Sequence, residues 1–267
     1  ISNLADPNLA VRSRLLPFKI RTSPSAFAMP VTPVEAAIAF TVVTAGAIVQ
    51  GSVGFGAALV AAPVLVLLDR TFVPVPMLIS GMTLAVLMSI RERRSVDTSV
   101  SWALAGRALG IAPAVLLVGT LSAFVFSMLF ATLVLLAVVL SLTGWHVPIT
   151  RRNLFFTGAV SGFSGTLASI GGPPMGLLYQ HEEARRLRGT IAFYFVFGGV
   201  MSLVALWWAG HFGTRELALA GVLMPGIVTG FLLSRFTAAS LPAQHTRPAV
   251  LIVSATTAMV VLCRAMW

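Results

Sequence analysis

Two stretches of this chain combine glycine, hydroxyl residues and helix breakers in a pattern that suits holding an anion with backbone. The longer, residues 161–174, reads SGFSGTLASIGGPP and holds four glycines, three serines, a threonine and two prolines. The shorter, residues 51–58, reads GSVGFGAA. Glycine lets the chain turn sharply and lets a ligand or another backbone come close. Proline is tolerated in the first turn of a new helix, where its missing N–H is not needed. A helix that starts inside such a stretch offers free N–H groups and a partial positive charge, which together attract an anion. The candidate residues at the first stretch are Gln50, Gly51, Ser52, Gly54, Phe55 and Gly56. At the second they are Ser164, Gly165, Thr166, Ser169, Gly171, Gly172 and Pro173. Each glycine taken alone has a rival role, because small residues are common where membrane helices pack tightly.

Other polar residues add to this pattern. Arg107 is the one basic residue well inside an apolar segment. It either snorkels to the interface along its aliphatic stem or faces a substrate as a cation. The acids are informative by their places: Asp6, Glu35, Asp69, Glu92, Asp97, Glu182, Glu183 and Glu216 all fall in the N-terminal stretch, loops or segment ends. Carboxylates inside spans mark cation sites and proton relays, so both are disfavoured. Tyr179 and Tyr194 flank a basic loop and read as interfacial anchors, and HEEARRLRG (181–189) reads as a solvated loop. His146, His181, His211 and His245 are spread along the chain and form no metal or catalytic set. No cofactor is implied. Neither G-x-x-x-x-G-K-[ST] nor G-x-S-x-G occurs, so nucleotide hydrolysis by a P-loop and a serine-hydrolase elbow have no sequence support.

The elements that must position these residues are set by composition. Of 267 residues 57% are hydrophobic and 10% charged, with mean hydropathy +0.94. A soluble domain carries about 25% charged residues, so the expected solvent is a lipid bilayer. The formal charge of +10 fits basic loops that orient helices better than nucleic-acid binding, which would need a polar domain. The single cysteine, Cys263, excludes an internal disulfide. Residues 1–32 read as a disordered or non-native extension, with Met29 the expected natural start, and they lack a signal-peptide core.

Ten apolar segments follow: 34–50, 53–68, 74–90, 101–119, 121–142, 153–169, 172–180, 190–209, 216–233 and 248–266. A full span needs about 20 residues. The second segment is marginal and the seventh too short, so each reads as half of a broken pair. The pattern repeats after about 115 residues, with Gly110 matched near Gly226. The expected fold is therefore an all-α polytopic membrane protein of two inverted repeats, 33–143 and 144–267. Each repeat is a broken helix pair followed by three transmembrane helices, and sites in such proteins lie near the midplane where the repeats meet. Arg91, Arg93, Arg94, Arg151, Arg152, Arg185, Arg186, Arg188, Arg235 and Arg247 gather on one expected side, against Arg70, Arg215 and Arg264 on the other. The first side is expected in the cytoplasm of a bacterial inner membrane, with both ends of the membrane domain outside.

GFGAALVAAP (54–63), followed in the second half by SGFSGTLASIGGPP, resembles the paired glycine motifs of the TauE/SafE family. The resemblance runs from about Pro33 to the C-terminus. It implies an exporter or permease for sulfite or organosulfur anions, with Gly54, Gly56, Gly171, Gly172 and Pro173 lining a central pathway. Ala57, Ala58 and Ser169 stand where the family often has glycine, which leaves the substrate open. The expected function is secondary transport of small anions by alternating access. A basic cytoplasmic face and the inside-negative potential both favour export. The rival expectations are a non-transporting membrane component that binds a partner chain and a membrane-embedded enzyme, for which no acid–histidine cluster is found. Assembly with further copies of the chain is compatible with the sequence. If backbone at Gly171 approaches substrate, Gly171→Leu should abolish transport while leaving insertion intact.

Overall fold

The structure, a computed structural model, describes residues 31–93, 95–240 and 243–266. The expectations about the N-terminal stretch through residue 30, about Arg94 and about the Arg247 side chain lie outside those residues. Every regular element among the described residues is helical. Ten α-helices run in order: α1 (Pro33–Val53), α2 (Ala57–Leu68), α3 (Val75–Arg91), α4 (Ser101–Val118), α5 (Ala123–Leu142), α6 (Arg151–Ala168), α7 (Gly172–Tyr179), α8 (Ala184–Trp208), α9 (Thr214–Ser240) and α10 (Ala243–Met266).

Among the described residues six spans are long and apolar enough to cross a membrane: α1, α3 with the short turn before it (Arg70–Arg91), α4 with the short turn before it (Thr98–Val118), α5, α8 and most of α9 (Thr214–Phe236). Their outward faces carry large apolar side chains: Leu116 is 72% exposed and Ile252 on α10 is 62% exposed. Patches of this kind are rare on soluble monomers and match a surface solvated by lipid. The chain is a multi-pass membrane protein.

Local chemistry explains where the helices begin and end. Thr32 and Glu35 form a reciprocal capping box ahead of α1, with Pro33 in its first turn. Gly54 ends α1 in the left-handed region at φ 110° and Gly56 precedes α2 at φ 117°. Two such residues in three reverse the chain, which a side chain would resist. Val53 thus belongs to the first helix, and the break is Gly54-Phe55-Gly56 alone. Helix α8 starts at Ala184, so most of HEEARRLRG is helix and not the solvated loop expected. Hydropathy misses a charged first turn, but Ala, Arg and Leu favour helix, and Arg186 pairs with Glu182 four residues earlier.

The broken pairs open toward opposite ends of the bundle. α1 and α9 run parallel, since Gly226 faces Phe40 and Thr44 while Ser234 faces Gly51. α2 turns back beside Gly46 and ends at Asp69, whose carboxylate accepts from Arg215 at the start of α9 at 2.9 Å. α4 and α6 also run parallel, with Ala103 against Gly158 and Arg107 against Gly162. α7 turns back beside Gly165 and ends at Tyr179, whose hydroxyl donates to Asp97 in the loop before α4 at 3.4 Å. At eight residues α7 is about 12 Å long, and twelve-residue α2 about 18 Å. Each therefore starts deep in the bundle. The two starts meet: Phe55 of the first break packs on Gly172 and Gly176 of α7.

Glycines set the closest approaches. On α4 and α6, a Cβ at Gly106, Gly110 or Gly158 would overlap the facing carbonyl of Phe155, Ala159 or Ala103. Gly230 makes the matching approach to Thr44 between α9 and α1. Within the second stretch Gly162 makes the same approach to the Arg107 carbonyl, so its place needs no ligand.

Candidate functional site

A cavity of about 60 Å³ lies where the two breaks meet. That is room for roughly four waters, or one small oxyanion. Gly56, Ala57 and Ala58 at the start of α2 line it from one side, and Ser169, Ile170, Gly171, Gly172 and Pro173 line it from the other. Gln50 on α1, Arg107 on α4, Gly165 on α6, Gly81 on α3 and Gly199 on α8 complete the polar and small parts of the wall. Met77, Leu78, Met82 and Phe195 supply apolar wall.

The centre of the site is Arg107. Its side chain is 2% exposed, so it does not snorkel to an interface. It runs past Gly162 and Gly198, where any larger residue would collide with it. Its Nη2 donates to Ser202 Oγ at 3.3 Å, and its guanidinium carbon stands 5.1 Å from the centroid of the Tyr194 ring. Nε and Nη1 find no partner among the described residues. No carboxylate there pairs with it either: the ion pairs join Arg91 and Arg188 to Glu92, Arg186 to Asp97 and Glu182, and Arg215 to Asp69. A buried cation without a counter-charge is costly, and a cation facing a cavity is a place where an anion gains most.

Two layers hold the arginine in position. Ser202 Oγ donates to the Gly198 carbonyl at 2.9 Å, which leaves it to accept from Arg107 and from Thr166 Oγ1 at 2.8 Å. Tyr194 Oη donates to the Gly158 carbonyl at 3.4 Å. Both tyrosines are fully buried, contrary to the interfacial anchoring expected of them. Tyr194, Gly198 and Ser202 recur at every fourth position of α8 and so share one face. That small-and-polar stripe was the available signal for the residues that sequence reasoning missed.

The helix starts contribute less than the arginine. In α7 the first turn contains Pro173 and Pro174, which have no N–H to offer, and the Ile170 N–H is taken by the Ser164 carbonyl at 3.3 Å. In α2 the Ala57 N–H already bonds Gln50 Oε1 at 3.2 Å. The break itself is held by Ser161 Oγ donating to the Gly171 carbonyl at 2.6 Å, and by Ser169 Oγ donating to the Pro74 carbonyl at 3.1 Å.

Of the residues expected at the site, Gln50, Gly56, Arg107, Gly165, Ser169, Gly171, Gly172 and Pro173 share the cavity wall. The others stand elsewhere. The Gly51 carbonyl accepts from Arg91, and the Ser52 carbonyl accepts from Arg188 at 3.5 Å. Gly54 lies against Leu187, and Phe55 fills the gap over α7. Ser164 Oγ turns back to the Val160 carbonyl at 2.9 Å, and Thr166 stands behind Arg107. Gly171 has no room for a bulky probe, because a Cβ there would come within 3.0 Å of the Ser161 carbonyl. A Gly171→Leu protein would therefore report on packing as much as on passage.

The histidines are less scattered than the sequence suggested: the His146 and His181 rings stand 4.9 Å apart. No group of three metal-ligating side chains forms among the described residues.

A bundle of membrane-spanning helices, interrupted at its centre by two breaks that enclose a small, largely apolar cavity with one arginine on its wall, has the architecture of a membrane transporter. The profile of the sulfite exporter TauE/SafE family matches residues 38–261, and the chain belongs to that family of membrane permeases, which are transporters and not enzymes. No curated protein and no solved structure matches the chain.

Proposed function

We propose that this protein is a secondary transporter that exports small anions, sulfite or a short organosulfur or organic anion, across a bacterial inner membrane. The observation that carries this reading is Arg107: a cation buried to 2% exposure, free of carboxylate partners among the described residues, on the wall of a cavity bounded by both helix breaks. A guanidinium binds oxyanions through charge-assisted hydrogen bonds, roughly twice as strong as neutral ones. The apolar wall at Met77, Met82 and Phe195 suits an anion with a small apolar body.

Alternating access follows from the repeat reading. Exchange of partners between the halves supports it: α1 packs on α9 and α6 on α4, while α3 packs on α8 and α5 on α10. One broken pair opens toward each end of the bundle. Rocking one half against the other would expose the cavity to each side in turn. The end bearing Arg91, Arg93, Arg151, Arg152, Arg185, Arg186, Arg188 and Arg235 is read as cytoplasmic, and it would concentrate anions at the inner mouth.

The test is efflux from proteoliposomes loaded with sulfite, sulfate or methanesulfonate. Flux of at least one anion, lost in Arg107→Met and in Gly81→Val, is expected. Gly81 lines the cavity, and a Cβ built on it meets nothing within 4 Å, so a side chain there starts in open space and valine is expected to fill the cavity while the protein still folds. No flux from folded protein, judged by a monodisperse gel-filtration peak, would sink the transport reading. It would leave a non-transporting partner-binding component as the alternative.

A further inference from the structure

The cavity contains a charge that must be answered in every state of a transport cycle. Arg107 is nearly inaccessible, and its Nε and Nη1 are unpartnered among the described residues. Glu35, Asp69, Glu92, Asp97, Glu182, Glu183 and Glu216 all sit at helix ends or in loops. None can swing in to neutralise the site while it is occluded. The polar groups that do face the guanidinium, Ser202 Oγ and the Tyr194 ring, are neutral.

An occluded carrier with nothing bound would close a low-dielectric interior over a bare guanidinium, at a heavy desolvation cost. With one monovalent anion bound, the site is neutral. With a dianion it carries net charge again, now negative. We infer that this chain is an obligate exchanger of small monovalent anions: it crosses in either direction only with a monoanion on Arg107. This rests on the transport reading above and adds coupling and charge selection to it.

The charge balance is simple. In outward passage the occluded site holds +1 from Arg107 and −1 from the anion, and return with a second monoanion holds the same sum. One turnover swaps two monoanions and moves no net charge. Direction is then set by the two anion gradients. A uniporter would instead be driven outward by an inside-negative potential.

The experiment uses wild-type protein in liposomes loaded with labelled methanesulfonate, a monoanion at all working pH values. The external salt is methanesulfonate, chloride, sulfate or lactobionate, and the potential is clamped with potassium and valinomycin. Lactobionate is too large for a cavity of about 60 Å³. Sulfate is small but divalent, so it separates charge from size. Efflux at least tenfold faster into methanesulfonate or chloride than into sulfate or lactobionate, and unchanged by the clamped potential, is the expected result. Equal efflux into all four media, or efflux that follows the potential, overturns exchange and leaves a permease. Acceleration by sulfate overturns the charge rule. Absence of methanesulfonate efflux in every medium, from protein that also moves no sulfite in the efflux test above, overturns both this inference and the reading on which it rests.

Discussion

At the scale of single residues, Arg107 sets function against stability. Groups that bind a charged ligand are poorly satisfied without it, and replacing a buried ion by an apolar side chain of similar length often stabilises by about 1–4 kcal/mol. Arg107→Met should therefore raise the melting temperature of anion-free protein by several degrees. It should also abolish the stabilisation that a bound anion gives the parent by mass action. Thermal scans in detergent with and without methanesulfonate would check both; a lower melting temperature in the variant would mean that Arg107 is structural. Asp97 shows the opposite economy. Burial pushes its pKa up, but hydrogen bonds from Ser99 and the Arg186 guanidinium prevail and hold it below the ordinary carboxylate value. Its folded pKa lies below its unfolded one, so its contribution is complete above about pH 4 and is lost as pH falls through the folded value. Asp97→Asn should flatten part of the acid limb of a melting-temperature profile below about pH 4. Asp69, depressed in the same direction despite burial by Thr71 and Arg215, accounts for slope that remains. An unchanged acid limb would dismiss the Asp97 contribution.

At the scale of elements, the glycines divide into those that bring helices together and those that leave space. Gly158 belongs to the first kind, since its missing Cβ is what lets α6 lie against the Ala103 carbonyl. Gly158→Leu should force α4 from α6 and lower stability by about 3 kcal/mol, seen as loss of the monodisperse peak. Gly81 belongs to the second kind, and Gly81→Val should keep the peak while flux disappears. If both variants behaved alike, the division would be wrong. The same scale explains the basic end. Arg91 and Arg188 donate to the last carbonyls of α1, at Gly51 and Ser52, where cations complement the helix dipole. Arg188 also pairs with Glu92 at 3.0 Å, so the first break is tied to α3 and α8 by ionic contacts outside the cavity.

At the scale of the whole molecule, the chain is asymmetric in charge, with most of its loop arginines at one end. α10 ends where Arg264 donates to the Leu67 carbonyl at 3.1 Å, beside Asp69 and Arg215 and away from the basic end. Under the orientation proposed from the distribution of arginine, that end would face out of the cytoplasm. A C-terminal alkaline phosphatase fusion should then be active in whole cells, and a C-terminal fluorescent protein fusion dark. The reverse pattern would invert the assignment of inner and outer mouths, and with it the direction proposed for export.

Composition and periodic apolar runs were sufficient to read an all-helical membrane protein, its segments and the two breaks, because lipid forces backbone bonds to close within each helix. Gly54 and Gly56 were legible because positive φ has few chemical solutions. Ser169 adopts φ 61° without being glycine, and no local rule announces that. Which broken-stretch residues face the cavity was not legible. Ser164 and Thr166 turn toward other partners while Gly165 between them lines the wall, because successive helical residues point about 100° apart. Nor could the sequence choose between a snorkelling and a buried Arg107. That was decided by Gly162 and Gly198, on two other helices, which leave the space that the Arg107 side chain fills. Long-range packing creates such a space, and its energy depends on residues far apart in the chain. The tertiary structure alone therefore moved the positive charge of the site from two helix starts to one side chain.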